Sequence, residues 1–327
     1  MTIRVLDLFC GAGGSSAGAK MAGARIVGGV DMDPIATATF ADNFRRAITE
    51  TRRLDEGSLP GRHLREGSID LLLASPECTN HSPAKGARER DEASKKTSHY
   101  VISFAKRLKP RWIVLENVVQ LRNWHGYSPL IEGLEDLGYG IRPQVLDAAE
   151  FAVPQTRRRL FVMASLDGTP PEVRSRTRKR PLARDIIRLD GTWESRPLRS
   201  DKRAKATLER AERGIAALGV GEPFLIVYYG SDGSGGWQPL DRPLRTLTTL
   251  DRFGLVTWDG REPLLRMLQV PELKAAMGLP EAFRLEHGSR RDKIRLLGNG
   301  VAPPVMCSII ETLSGQRNQR STRAKHR

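Results

Sequence analysis

Ile3 to Ala22 reads IRVLDLFCGAGGSSAGAKMA, and the rest of the chain can be ordered around it. Ile3 to Phe9 is a short apolar run interrupted only by Asp7, as expected of a buried parallel strand. Cys10-Gly11-Ala12-Gly13-Gly14-Ser15-Ser16 is a glycine-rich turn, and Ala17 to Ala22 is helix-like. Strand, turn and helix together form a cradle for a nucleotide-type ligand. Glycine lets the backbone approach the ligand, and the helix N-terminus offers unpaired amides. The next run, Arg25 to Val30, ends in Asp31-Met32-Asp33, an acidic strand end placed to accept hydrogen bonds from ribose hydroxyls. The turn lacks the full G-x-G-x-x-G spacing. That moves the expectation from a nicotinamide cofactor toward a mononucleoside one such as S-adenosylmethionine.

Further along, Asp33-Pro34 opens a helix to about Asn43, and Ala47 to Arg52 is a candidate third strand. Leu54 to Glu66 reads as loop, Ile69 to Ala74 as a buried strand, and Ser98 to Leu108 as a helix ended by Lys109-Pro110. Trp112 to Leu115, Val145 to Asp147 and Leu160 to Ala164 are further strands, with a helix at Leu130 to Leu137. This alternation predicts an α/β fold built on a doubly wound, mostly parallel sheet. From about Gly168 to Glu262 the periodicity breaks down, apart from a helix near Ala204 to Leu218 and a strand at Phe224 to Tyr229. Pro263 to Gly278 reads as one amphipathic helix, and Val305 to Leu313 as a last apolar one. The expected organisation is a domain over 1–167, a smaller irregular one over 168–262, a return to the first over 263–314, and a disordered basic tail over 315–327.

Chemistry concentrates where the strands end. Ile69 to Ala74 gives way to Ser75-Pro76-Glu77-Cys78, which puts a thiol at the sheet edge where ligands gather in open α/β folds. Thr79, Asn80, His81 and Ser82 follow, then a charged run from Arg88 to Lys96. Trp112 to Leu115 ends in Glu116-Asn117, and Leu160 to Ala164 is preceded by Arg157-Arg158-Arg159. A thiolate can add to an electron-poor ring carbon. A carboxyl group beside it can protonate or hydrogen-bond the ring nitrogen that gains charge, and a guanidinium can hold a carbonyl oxygen. The bland alternatives are a small buried hydrophobe at Cys78, a helix cap at Glu116 or Asp31, and a basic strand start at the arginines.

Composition narrows the partners. The formal charge is +15 over 327 residues. Pro170 to Arg213 holds fourteen Lys/Arg against seven Asp/Glu, and the tail from Gly315 adds five basic residues and no acid. Clustering of that kind is the footprint of a phosphate-backbone binder, with solvated surface as the alternative. Three scattered cysteines, Cys10, Cys78 and Cys307, predict free thiols in a reducing cytoplasm rather than a disulfide framework. No run approaches the length of a membrane span, and the chain enters a strand at once, so neither membrane nor signal peptide is expected. The histidines lack metal-ligand spacing, and no metal is expected.

Six blocks, taken in order, resemble the cytosine-5 DNA methyltransferases: DLFCGAGGSSAG (Asp7 to Gly18), SPECTNHS (Ser75 to Ser82), LENV (Leu115 to Val118), QTRRR (Gln155 to Arg159), RPLRTLTT (Arg242 to Thr249) and LLGNGVAPPV (Leu296 to Val305). The resemblance implies a class I, Rossmann-like methyltransferase fold with a variable target-recognition domain. It implies S-adenosylmethionine held by Phe9, Gly11, Ala12, Gly13, Asp31, Met32, Pro76, Asn299 and Val301. Cys78 is the implied nucleophile, Glu116 the contact to the ring nitrogen and amine of the target cytosine, and Arg157 and Arg159 an arginine pair near the flipped base. An acid after the third strand is implied against the adenine; Glu50 and Asp55 are its candidates. Glu77 and Thr79 flank the cysteine where the family usually has proline and glutamine. The implied partner is double-stranded DNA acted on by a cytoplasmic, bacterial or phage-encoded monomer, with a possible cognate restriction endonuclease. An RNA substrate, or a DNA-binding homologue with impaired chemistry, are the alternatives.

Overall fold

The computed structural model describes residues 2–315 except 56, 57, 59, 62, 77–91, 176, 178, 179 and 230–235, with the backbone alone at 92–99. Cys78, its neighbours Glu77 and Thr79, and the tail beyond 315 lie outside the described residues.

Seven strands form the main sheet: β1 (Arg4–Leu8), β2 (Arg25–Asp31), β3 (Ile48–Thr51), β4 (Leu71–Ala74), β5 (Trp112–Asn117), β6 (Gly140–Asp147) and β7 (Arg158–Ser165). Their order is β3-β2-β1-β4-β5-β7-β6. The first five run parallel, while β7 is antiparallel to both its neighbours. The unbroken apolar runs have a direct cause: both faces of the sheet are covered. Val5, Leu71, Leu73 and Val114 face one core layer with residues of α1 (Gly14–Met21) and α8 (Pro303–Leu313). Leu6, Leu72, Ile113 and Leu115 face the other with residues of α3 (Glu92–Leu108) and α4 (Tyr127–Glu135). The chain winds outward from β1 to β2 and β3, then returns to β4 beside β1. The strand ends on either side of that reversal are where an open α/β sheet leaves a crevice.

A second sheet of five antiparallel strands follows, in the order β10-β9-β11-β12-β8. Its members are β8 (Arg196–Pro197), β9 (Phe224–Val227), β10 (Trp237–Pro239), β11 (Phe253–Asp259) and β12 (Glu262–Met267). Phe224, Ile226 and Val256 pack with Ala211 of α5 (Lys205–Leu218). Leu225, Val227 and Leu255 pack with Leu273 of α6 (Val270–Ala276) and Leu297 of α7 (Arg290–Asn299). The segment expected to be irregular therefore carries ordered sheet structure.

Pro263 to Gly278 is not one helix. It is β12 followed by α6, because Leu264 and Leu265 find partners in Pro197 and Arg196 as well as in β11. A further helix, α7, occupies the stretch read as a connection, capped by Ser289, whose hydroxyl accepts from the Asp292 amide. By length and composition alone Arg290–Leu313 suffices to cross a membrane, contrary to the expectation from sequence. It is two helices separated at Gly300 to Ala302 and mostly buried in the protein's own core.

Candidate active site

One cleft runs along the C-terminal ends of the parallel strands, with residues 277–301 of the return segment on its far wall. β1 delivers Phe9 to it, β2 delivers Asp31 and Met32, β4 leads to Ser75 and Pro76, and β5 ends in Glu116 and Asn117. Ala12, Gly11, Arg157, Arg159, Asn299 and Val301 also line it. The structure thus gathers every described residue of the expected site except Gly13.

The turn after β1 is held by the strand beside it. Asp31 Oδ2 accepts the Gly11 amide at 2.8 Å, and Oδ1 accepts the Asp33 amide at 2.9 Å. Burial raises the Asp31 pKa, while these two amide bonds pull it down. Each carboxylate oxygen retains a lone pair for a ligand hydroxyl. Asp31 is not the helix cap. That role belongs to Asp33, whose Oδ1 accepts the Ile35 amide at 2.9 Å and whose Oδ2 accepts from Arg295 at 2.6 Å.

Gly13 stands behind the turn: its φ is 95°, and a Cβ there would lie 2.5 Å from the Phe44 ring. Of the two adjacent glycines, the one at the cleft is Gly14, where a Cβ would lie 2.4 Å from the Val301 carbonyl oxygen. Beneath the turn, Asp7 is fully buried and accepts the Ser16 hydroxyl at 2.7 Å on Oδ2, while its Oδ1 has no partner among the described residues. Burial pushes this carboxyl up to about 7.

At the other end of the cleft Glu116 is buried, with Oε1 3.2 Å from Arg159 Nε. Burial raises the Glu116 pKa; Arg159 and then Arg157 oppose the shift. The antiparallel pairing of β5 with β7 sets this up, since it puts Glu116 opposite Phe161, two residues along from Arg159. Arg157 has a different part. Its guanidinium donates to the carbonyls of Leu247 (3.1 Å), Gly298 (2.8 Å) and Gly300 (2.8 Å). It braces the return segment and the chain near β11 against β7. The two arginines of one motif thus divide, Arg159 facing the carboxylate and Arg157 holding the wall.

The side chains of Asn117 and Gln155 hold roles that the sequence pattern does not mark. Asn117 Nδ2 donates to the Pro76 carbonyl at 3.1 Å, tying the end of β5 to the residue two before Cys78. Gln155 donates to the Ala276 carbonyl (3.0 Å) and accepts the Leu247 amide (2.9 Å). Both sit inside quoted motifs, but their partners lie far away in sequence. Cys10 also lines the cleft, yet burial first, then Asp7 and Asp31, push its thiol well above the ordinary range and leave no thiolate there.

Neither candidate for an acid near the adenine lines the cleft. Glu50 pairs with Arg52 at 3.1 Å, and Asp55 accepts the Ser58 hydroxyl at 2.8 Å. Arg52, Arg53 and Leu54 line the wall there instead.

Residues 3–315 match the family described as C-5 cytosine-specific DNA methylase, and the chain belongs to that family. It is 31% identical over 182 residues to the type II methyltransferase M.AgeI of Thalassovita gelatinovora, covering 52% of this chain and 42% of that protein. To the type II methyltransferase M.MspI of Moraxella sp it is 28% identical over 319 residues, covering 95% of this chain and 70% of the relative. The chain thus spans about two fifths of some curated relatives and most of others. Among solved structures, the S. pombe Dnmt2 methyltransferase matches with a TM-score of 0.69 at 18% identity, covering 97% of this chain and 99% of that one. At that identity the likeness speaks for the fold.

Proposed function

We propose that this chain transfers a methyl group from S-adenosylmethionine to carbon 5 of a cytosine swung out of double-stranded DNA, through a covalent adduct with Cys78. One observation carries the reading: a glycine turn tied to Asp31 and a buried Glu116–Arg159 pair stand at two ends of the same cleft.

The residues fit the cofactor. Among the described residues, a Cβ at Gly11 would meet nothing within 4 Å, so the turn borders open space there, and the Ser75 hydroxyl at the cleft has no partner. Phe9, Gly11, Ala12, Asp31, Met32, Pro76, Asn299 and Val301 would hold it, with Asp31 accepting from the ribose. When bound, the cofactor supplies an electrophilic methyl group.

The protein's own groups do the remaining work. Flipping the base exposes carbon 6 at a cost of a few kcal/mol. The Cys78 thiolate adds to carbon 6, and the electron pair displaced from the 5,6 double bond makes carbon 5 nucleophilic. Glu116, with its pKa raised by burial, presents a proton or hydrogen bond to ring nitrogen 3 as charge develops there. Arg159 keeps that carboxyl oriented. Once carbon 5 has gained its methyl group, loss of its proton restores the double bond and expels the thiolate.

We assign target reading to the segment 168–262 with the basic stretch from Pro170 to Arg213, where phosphate contacts position the duplex and a few side chains read base edges. The likeness to proteins named type II methyltransferases supports modification at a short DNA site; a cytoplasmic monomer, with a cognate endonuclease as a possible companion, completes the proposal. Cys78→Ser is expected to abolish methylation of duplex DNA and trapping on a 5-fluorocytosine duplex. Wild-type methyl transfer by that variant would refute the adduct, and methylation of tRNA in place of duplex DNA would refute the substrate.

A further inference from the structure

Methyl transfer at Cys78 and Glu116 places the reacting end of the cofactor near β4 and β5, so its adenosine runs across β1 and Asp31 toward β3. This inference rests on that reading. β3 ends beside β2, with Thr51 in register with Asp31 and the Arg52 amide donating to the Asp31 carbonyl at 2.8 Å. The wall that meets the purine is therefore the chain just past β3, namely Arg52, Arg53 and Leu54.

Adenine offers an amine donor and ring-nitrogen acceptors on its edges. A site can read it with an acceptor for the amine or with a donor for a ring nitrogen. The carboxylates lining the cleft have other partners: Asp31 has two backbone amides and, in the proposed complex, the ribose; Asp33 has the Ile35 amide and Arg295; Glu116 has Arg159. Arg52 is paired with Glu50. Arg53 makes no hydrogen bond or ion pair among the described residues, is exposed, and lines the cleft. A guanidinium has five N–H donors and no acceptor. Leu54 beside it is buried and gives the ring an apolar neighbour.

We propose that Arg53 reads the adenine of the cofactor by donating to an outer ring nitrogen, N1 or N7. The site would then recognise the purine through its acceptors, with no carboxylate engaging the exocyclic amine.

Equilibrium binding of S-adenosylhomocysteine, measured by calorimetry on the full chain, tests this without catalysis. Arg53→Ala is expected to weaken binding about tenfold, and Arg53→Lys to recover part of it. In the wild type, the 1-deaza or the 7-deaza analogue is expected to bind about tenfold more weakly, and the N6-methyl analogue within about twofold of the parent. In Arg53→Ala the sensitive deaza analogue should lose nothing further, because the two changes remove the same bond. Binding by Arg53→Ala within twofold of wild type overturns the proposal, as does a deaza penalty of equal size in both proteins. A wild-type chain that binds no S-adenosylhomocysteine overturns the methyl-transfer reading itself, a result distinct from either of these.

Discussion

The two ends of the cleft are held by contacts of very different reach. Around β1 and β2 the decisive bonds are local, with Ser16 to Asp7 spanning 9 residues and Gly11 to Asp31 spanning 20. Around β5 and β7, Arg157 reaches carbonyls 90, 141 and 143 residues away, and Gln155 reaches one 121 residues away. The turn after β1 belongs to a single strand–turn–helix–strand unit, whose parts come together when that unit folds, and Arg295 and Val301 of the return segment close over it later. The Glu116–Arg159 pair closes within the first sheet, but the wall that Arg157 braces exists only after the second sheet is built and the chain has come back. Strength of individual bonds does not separate the two ends; the loop that must close to form them does.

Arg157→Ala should break this division most severely. It leaves three carbonyls without their donor, at about 1–3 kcal/mol each when buried, or about 5 kcal/mol in all. Urea denaturation reads the loss, and amide exchange locates it: residues 296–302 should exchange faster, while residues 11–17 keep their protection. A uniform rise at both places would contradict the division.

Asp7→Asn probes the local end. The folded Asp7 holds its proton up to about pH 7, whereas an unfolded chain releases it near pH 4. The folded state therefore binds more protons across that window. The stabilisation is complete below about pH 4, declines as pH rises, and is gone above about 7. At 1.36 kcal/mol per pH unit the full span is about 4 kcal/mol. Thermal denaturation at pH 5 and pH 8 should show Asp7→Asn flattening that slope and gaining stability at the alkaline end. An unchanged slope would mean that Asp7 is not the group responsible.

Gly14→Ala acts at the seam between the two ends. Its Cβ would press on the Val301 carbonyl, and relief by backbone shift costs about 2 kcal/mol. Calorimetry with S-adenosylhomocysteine should find binding weakened in proportion. Undiminished affinity would show that the return segment does not wall the nucleoside.

What could be read from the sequence follows the same line. β1, β2, β4 and β5 were legible because burial on both faces demands apolar runs, and the quoted motifs named much of the cleft, though not Asp31, Arg53 or Phe283. β11 and β12 were not. FGLVTWD and EPLLRM are short, begin beside turns, and mix charge with apolar residues; only cross-strand pairing with partners such as Phe224 to Val227 decides them. The Arg157 brace was illegible for a related reason, since backbone carbonyls carry no mark in a sequence. Gly13 and Gly14 are indistinguishable as letters, and only the approach of Val301 separates them.

That approach also concerns the order of synthesis. A ribosome makes Gly14 long before Val301, so a growing polypeptide carries the turn after β1 with one side missing until the return segment has been made.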